Sequence, residues 1–206
     1  MVEHLCVHLG LVDVSIVAHD YGDSVAQELL TRQVEGRLPF TIQRLMWLNG
    51  GLFSESHRPL LTQKLLHSKL GPLFRCFMSK NSLKKGFTRI FAEQTPPSDE
   101  VIDNLWALMQ CNEGVRVLPS LLRYLDERKE QRDRWVGGMQ TFASEGPERL
   151  IFVNGVQDPI SGQHMLERFK TLLPNVPTLG LDVGHYPQLE AAEKVNDAII
   201  QFLSEF

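Results

Sequence analysis

The chain has 206 residues, 43% hydrophobic and 22% charged, a composition typical of a globular protein with a substantial core. Its net charge of −4 gives no reason to expect nucleic acid or an anionic membrane surface as a partner. No apolar run approaches the roughly 18 residues of a membrane span, and the first residues lack the features of a signal peptide. Cys6, Cys76 and Cys111 show neither metal-ligand spacing nor a disulfide framework. We therefore expect no metal and no cofactor.

The first third of the chain predicts a strand, a sharp turn and a helix. Residues 3–9 favour a short helix, and the apolar run 14–18 favours a buried strand. The run breaks at residues 19–22, and apolar positions then recur at helical spacing to about residue 33. Small residues, Ala18 and Gly22, lie on either side of Asp20. This layout is typical of a nucleophile elbow, with an aspartate at its apex.

The middle of the chain predicts a helical insertion. Residues 41–48 read as a second buried strand, which ends at an Asn-Gly-Gly turn. Helices are predicted from Pro59, after Ser98 and over residues 117–125, with a polar, basic connection at 79–85. We interpret the charged run 127–134 as a solvated helix face. An all-helical insertion between two strands of a parallel sheet indicates a cap over the active edge.

The last third returns to alternating strands and helices. Strands are predicted at 149–153 and 178–181, with helices at 162–172 and 189–206. The fold class is therefore α/β, with a mostly parallel sheet and a helical cap. The predicted division is 1–53 core with the elbow, 54–138 cap, and 139–206 core with the acid and the histidine.

Three chemically suitable groups follow predicted strands. Asp20 follows the first, Asp158 the third and His185 the fourth. Because the carboxyl ends of parallel strands lie at the same edge of a sheet, we expect these three side chains to lie close together. A carboxylate is nucleophilic at neutral pH without a base, so Asp20 could form an ester with the substrate. His185, oriented by Asp158, would then activate a water molecule that hydrolyses this ester. The backbone N–H of Tyr21 is a candidate oxyanion donor. Taken singly, each has a structural alternative: a helix cap, a turn residue and a loop histidine.

Other polar residues are weaker candidates for catalytic residues. Histidines 4, 8, 57, 67 and 164 have no comparable context, and we interpret them as surface residues. Ser24 lies inside the helix and not at the apex, which argues against a serine hydrolase. Asn49 follows the second strand, but an amide cannot serve as the orienting carboxylate.

The segments VAHDYGDSVAQELL, NGGLFSESHRPLL, RWVGG and GHYPQLE resemble the α/β-hydrolase branch that contains haloalkane dehalogenases and epoxide hydrolases. The resemblance covers essentially the whole chain. It implies a triad of Asp20, His185 and Asp158, a helical cap, a small-molecule substrate and association with the endoplasmic reticulum membrane. Tyr21 stands where these relatives usually carry a tryptophan.

The resemblance also indicates candidate substrate contacts and one gap. Tyr124 is the tyrosine of the predicted cap, and Trp106 and Trp135 are candidate pocket residues, with core packing as the alternative. The family carries a His-Gly-x-Pro oxyanion loop that does not occur ahead of Asp20. We therefore expect a chain that resembles the C-terminal part of the fold and has weak or no activity. The alternatives are a hydrolase acting through an aspartyl ester and a non-catalytic binding module.

Overall fold

The computed structural model describes residues 1–74 and 77–204 and is built on a four-stranded sheet in the order β1-β2-β3-β4. The strands are β1 (Asp13–Ala18), β2 (Thr41–Trp47), β3 (Leu150–Gly155) and β4 (Thr178–Leu181). All three pairings are parallel. The predicted α/β class is confirmed, and each predicted strand is found within two residues of its bounds.

Helices make up most of the remaining regular structure in the described chain. They are α1 (Val2–His8), α2 (Tyr21–Val34), α3 (Leu61–His67), α4 (Gly71–Phe74), α5 (Lys80–Thr88), α6 (Asp99–Gln110), α7 (Leu118–Leu121), α8 (Tyr124–Glu130), α9 (Arg132–Glu145), α10 (Gln163–Leu172), α11 (Pro187–Glu190) and α12 (Ala192–Ser204). Two 3₁₀ segments, Cys111–Val117 and Pro147–Arg149, precede α7 and β3. Within the described ranges, every helix is too short or too polar to cross a bilayer.

The core lies on both faces of the sheet. On one face α2, α9 and α10 pack against the sheet through a cluster that includes Leu30, Trp47, Met139 and Phe169. On the other face α12 packs through Val195 and Phe202. The inner strands β2 and β3 are therefore largely apolar on both faces, as a covered parallel sheet requires. By contrast, β1 alternates exposed and half-buried residues.

Helices α3 to α8 form the insertion between β2 and α9, which we call the cap. The predicted boundary at residue 138 falls inside α9, where Gly138 packs so closely on α2 that a Cβ there would lie 2.5 Å from Thr31 Oγ1. Helix α9 thus packs as a core helix along its length, while the three-part division stays a prediction.

The cap differs from the sequence predictions at two places. Residues 79–85, predicted as a connection, form the start of α5, because Ser79 Oγ accepts from Ser82 N and Ser82 Oγ accepts from Ser79 N in a reciprocal cap. The single helix predicted over 117–125 is wrong, because α7 ends at Leu121 and α8 begins at Tyr124.

Near the C terminus, the predicted final helix is divided into α11 and α12 by Ala191, whose φ of −143° is not helical. Its last two residues lie outside the described residues, as does Cys76.

Candidate active site

The turn between β1 and α2 presents Asp20 from a strained backbone. Asp20 has φ +53° and ψ −109°, a positive φ that L residues rarely adopt and that costs on the order of 1–3 kcal/mol. Its N–H donates to the Asn49 carbonyl (2.9 Å), and the N–H of Gly22 donates to the His19 carbonyl (2.9 Å). The predicted strand–turn–helix is confirmed, and 38% of the Asp20 side chain is exposed. The carboxylate can therefore meet a ligand.

His185 lies between the two predicted acids. Its Nδ1 is 2.7 Å from Asp158 Oδ2, a bond in which the ring donates because a carboxylate only accepts. Its Nε2 is 3.8 Å from Asp20 Oδ2. The sheet thus brings together three side chains that lie far apart along the chain. The opposite nitrogens of one imidazole face the two carboxylates, and His185 is 3% exposed.

The Asp158 carboxylate is held by four hydrogen bonds. Besides His185, its oxygens accept from Ile160 N (2.8 Å), Ser161 Oγ (2.6 Å) and Asn49 Nδ2 (3.1 Å). Asn49 also donates to the Gly155 carbonyl (2.9 Å), so it ties the end of β2 to the end of β3. Asn49 does not replace the acid; it orients the acid. The sequence placed it at the right strand end but did not indicate this function.

The His185 loop is fixed to the cap by a single carboxylate. Glu190 Oε2 accepts from Ala92 N (2.8 Å), Thr95 Oγ1 (2.7 Å) and Gly184 N (2.8 Å), and Oε1 accepts from Tyr186 N (3.0 Å). The His185 N–H donates to the Ile90 carbonyl (2.8 Å) of the same cap segment. The chain approaches β3 closely here, since a Cβ at Gly155 would lie 1.9 Å from the Gly184 carbonyl oxygen. The histidine is therefore positioned jointly by core and cap.

Arg128 of α8 reaches from the cap to the elbow. Its Nε donates to Ser24 Oγ (2.6 Å), its Nη2 donates to the Asp20 carbonyl (3.0 Å), and its guanidinium lies 4.4 Å from the centre of the Tyr124 ring. Arg128 is only 2% exposed. The interpretation of residues 127–134 as a solvated face is therefore wrong at this position, since the guanidinium clamps the strained turn.

Two further polar groups are buried beside this clamp. Neither carboxyl oxygen of Asp23 has a hydrogen-bond partner among the described residues, and burial raises the pKa of Asp23 well above its ordinary value. The ring nitrogens of His57 are also buried and lack partners in the described chain. Burial and then the charge of Arg128 lower the pKa of His57 to about 4. The prediction of a surface position is wrong for the ring nitrogens of His57, although the residue as a whole is half-buried.

Opposing effects set the protonation of the central groups. Burial disfavours the charged form of His185, but the charge and hydrogen bond of Asp158, with Asp20, raise its pKa to about 10. Burial likewise disfavours ionised Asp20, yet the positive charges of His185 and Arg128 hold the Asp20 pKa below its ordinary value. At neutral pH this arrangement favours an imidazolium between two carboxylates.

A cavity of about 350 Å³ lies between Asp20 and the cap. Its lining is mainly apolar and includes Leu66, Leu83, Phe87, Ile90, Met109, Leu118 and Leu122, together with Asp20, Tyr21 and Tyr124. The rings of Tyr21 and Tyr124 have centroids 5.1 Å apart. Burial, followed by the charge of Asp20, raises the pKa of Tyr124 to about 12, which keeps its hydroxyl protonated. The cavity suits a small, largely apolar molecule.

The two tryptophans occupy other positions. Trp135 is 6% exposed on α9, and its indole N–H donates to Glu28 Oε2 (2.8 Å) on the outer side of α2. Trp106 is half-buried on α6. Neither is among the described lining residues of the cavity at Asp20. Within residues 1–74 and 77–204, no group of three or more His, Cys, Asp or Glu side chains could hold a metal ion.

The chain is similar in sequence to two known proteins. The chain is 38% identical over 214 residues to the mesoderm-specific transcript protein of Mus musculus, covering 100% of this chain and 63% of that protein. It is 36% identical over 206 residues to "Putative hydrolase LipZ" of Mycobacterium tuberculosis, covering 98% and 69%. The chain belongs to this family of α/β hydrolases. No protein-family model matches it.

Solved structures show the same fold at lower identity. A mutant of the haloalkane dehalogenase DatA from Agrobacterium tumefaciens has a TM-score of 0.73 at 15% identity, over 99% of this chain and 71% of that one. The epoxide hydrolase CorEH has a TM-score of 0.68 at 16% identity, over 98% and 72%. These likenesses show the fold alone. The chain spans 63% of the length of the mesoderm-specific transcript relatives.

Proposed function

We propose that this α/β hydrolase cleaves a small organic substrate through an ester formed on Asp20. The single observation that supports the proposal most is that the exposed Asp20 carboxylate borders the mainly apolar cavity and lies 3.8 Å from His185 Nε2. Asp20 attacks a carbon that bears a leaving group, a carbon–oxygen bond forms, and the bond to the leaving group breaks with its electron pair. A leaving alkoxide takes a proton from Tyr124 or water, whereas a halide leaves as the anion.

Ester formation itself prepares the second step. The free Asp20 carboxylate helps to keep His185 protonated, but the ester is neutral, so the imidazolium loses one of its two anionic neighbours. The pKa of His185 then falls, and the neutral ring can take a proton from water, which attacks the ester carbonyl. The Tyr21 N–H stabilises the oxyanion that forms, and its collapse breaks the bond to the alkoxide, which takes back the proton held by His185 and leaves as the alcohol, regenerating Asp20. Asp158 keeps the ring oriented throughout.

The proposal is tested by turnover with matched acid variants. An aryl epoxide and a primary bromoalkane are offered to the wild-type chain, to Asp20→Asn and to Asp23→Asn. Both acids lie at the start of α2, but only Asp20 borders the cavity. We expect loss of at least about 1000-fold in turnover for Asp20→Asn and retained turnover for Asp23→Asn. Turnover that survives in Asp20→Asn contradicts the proposed chemistry.

A second candidate, a non-catalytic binding module, is favoured by the outer side of β1. There the sheet of the described residues ends at β1, and Leu11, Val12 and Val17 are exposed by 42%, 70% and 43%. We also propose slow turnover, because the Tyr21 N–H is the one oxyanion donor that we assign among the described residues. In enzymes with two such donors, removal of one typically costs about 100- to 1000-fold in rate. A well-folded chain that binds but never converts the probes supports this candidate. Association with the endoplasmic reticulum stays a prediction from the resemblance.

A further inference from the structure

A second cavity, distinct from the one at Asp20, lies between α3 and α8 and has a volume of about 250 Å³. Five of its described lining residues are basic: His57, Lys64, His67, Arg128 and Lys129. We call these five the basic cluster. None of the described lining residues is acidic. Helix α3 separates the two cavities, since Thr62, Gln63 and Leu66 line the apolar one, while Lys64 and His67 line this one.

Two members of the basic cluster, buried Arg128 and half-buried His57, have buried nitrogens without a hydrogen-bond partner among the described residues. Arg128 is 2% exposed, yet its Nη1 has no hydrogen-bond partner among the described residues. Both ring nitrogens of His57 share this condition. A Cβ on Gly51 would lie 2.0 Å from Arg128 Nη1 and 2.5 Å from His57 Nδ1, so both nitrogens lie beside Gly51 and close to each other. Buried donors without acceptors are rare in native proteins and indicate an absent partner.

The surrounding acids do not supply that partner. Asp126 is already paired with two members of the basic cluster, His67 Nε2 (2.7 Å) and Lys129 Nζ (3.6 Å). Arg128 binds the backbone carbonyl of Asp20 and the Ser24 hydroxyl, neither of which carries a charge. Buried Asp23 makes no hydrogen bond in the described chain, and burial raises its pKa although the charge of Arg128 acts in the opposite direction. The buried guanidinium therefore has no hydrogen-bonded anion of its own among the described residues.

We propose that the basic cluster binds a phosphate group, with Arg128 Nη1 and His57 as buried donors and Lys64 and Lys129 as charged donors at the mouth. A phosphate matches this set because it offers several strong acceptor oxygens and up to two negative charges, whereas a carboxylate satisfies fewer donors. The volume admits a phosphate with a few attached carbons. The group belongs to free phosphate or to a small phosphomonoester, and the binding test distinguishes these.

Occupation of this site is communicated to the elbow through Arg128. The same guanidinium that would contact phosphate through Nη1 holds the Asp20 carbonyl through Nη2. An anion on Nη1 offsets the positive charge that lowers the pKa of Asp20, so bound phosphate raises that pKa. Binding itself needs no turnover, so this proposal stands or falls independently of the proposed hydrolase activity.

The test uses the full 206-residue chain and phosphorus NMR, with inorganic phosphate and glycerol 3-phosphate as separate probes and acetate as the carboxylate control. We expect saturable phosphate binding in the millimolar range or tighter, and a rising melting temperature at constant ionic strength. Tighter binding of glycerol 3-phosphate than of inorganic phosphate indicates a phosphomonoester ligand, and the reverse indicates free phosphate.

Matched variants separate the cluster from general surface charge. Lys64→Met with Lys129→Met should weaken phosphate binding by about tenfold or more and leave the fold intact, because both lysines extend to the surface. Lys80→Met with Lys84→Met, which removes the same charge from α5 outside the cavity, should leave binding unchanged. Equal weakening by both pairs, absence of saturation, or equal affinity for acetate overturns the proposal.

Discussion

Glu190 offers a quantitative test of how the histidine is positioned, through the variant Glu190→Gln. The carboxylate accepts four hydrogen bonds, three on Oε2 and one on Oε1. If the amide oxygen of glutamine replaces Oε2, three bonds change from a charged to a neutral acceptor, at about 1 kcal/mol each. The Tyr186 N–H then faces an NH₂ group and loses its acceptor, at about 1 kcal/mol more. Partial exposure of the site reduces the sum, and we expect a net loss of about 3 kcal/mol.

Thermal and urea unfolding measure this loss directly. For a chain of this size about 3 kcal/mol corresponds to a melting temperature lower by roughly 6–12 °C. Hydrogen exchange gives the local readout, since the amides of Ala92, Gly184 and Tyr186 should exchange faster in the variant. Glu193→Gln, on the exposed side of α12, is the matched control and should change neither quantity. A melting temperature within about 1 °C of wild type, with unchanged exchange at these amides, refutes the assigned function of Glu190.

Three other predictions concern protonation and the clamp. Because the His185 pKa is raised to about 10 from 6.5, its stabilising contribution is fully present below pH 6.5 and is lost as the pH rises through about 10. Wild type should therefore lose more stability than His185→Gln between pH 7 and pH 10, measured by urea unfolding, and parallel curves would contradict this. Burial raises the Asp23 pKa, so ionisation of Asp23 destabilises the folded state as the pH rises above 3.8. The melting temperature of Asp23→Asn minus that of wild type should therefore increase between pH 4 and pH 8. A difference that shrinks over this range would refute the assignment. Arg128→Lys removes the guanidinium that donates to the Ser24 hydroxyl and the Asp20 carbonyl. We expect the free energy of unfolding measured in denaturant to fall by about 2–3 kcal/mol. A loss below about 0.5 kcal/mol would show that the clamp contributes little.

The sequence was sufficient for the sheet and for the grouping of Asp20, Asp158 and His185. Apolar runs bounded by turn residues define the four strands, and parallel strands bring their carboxyl ends to one edge, so residues that follow strands must lie near one another. The elbow was predictable for a local reason, since strand, tight turn and helix are adjacent in the chain. These features depend on short-range patterns that a single sequence displays.

The contacts between cap and core could not be predicted in the same way. Arg128 stands in a charged run, and nothing local distinguishes it from neighbours such as Lys129, whose side chain is 69% exposed. Its burial arises because α8 packs over the elbow, which depends on the path of the whole cap. The same applies to Glu190, which binds Ala92 and Thr95 of the cap, and to His57, whose Nδ1 lies beside Gly51 together with Arg128 Nη1. One signal was available: the Asn-Gly-Gly turn at 49–51, whose glycines admit Asp23 and Arg128 at close range.

The covalent intermediate on Asp20 is the most direct test of the proposed chemistry. His185→Ala removes the group that activates water but leaves the carboxylate free to attack, so incubation with an aryl epoxide or a primary bromoalkane should leave the substrate attached. Peptide mass spectrometry of the folded variant should find the adduct on Asp20, and the same treatment of wild type should find product without adduct. A folded His185→Ala chain with no adduct on Asp20, while wild type converts the same compound, would contradict the account.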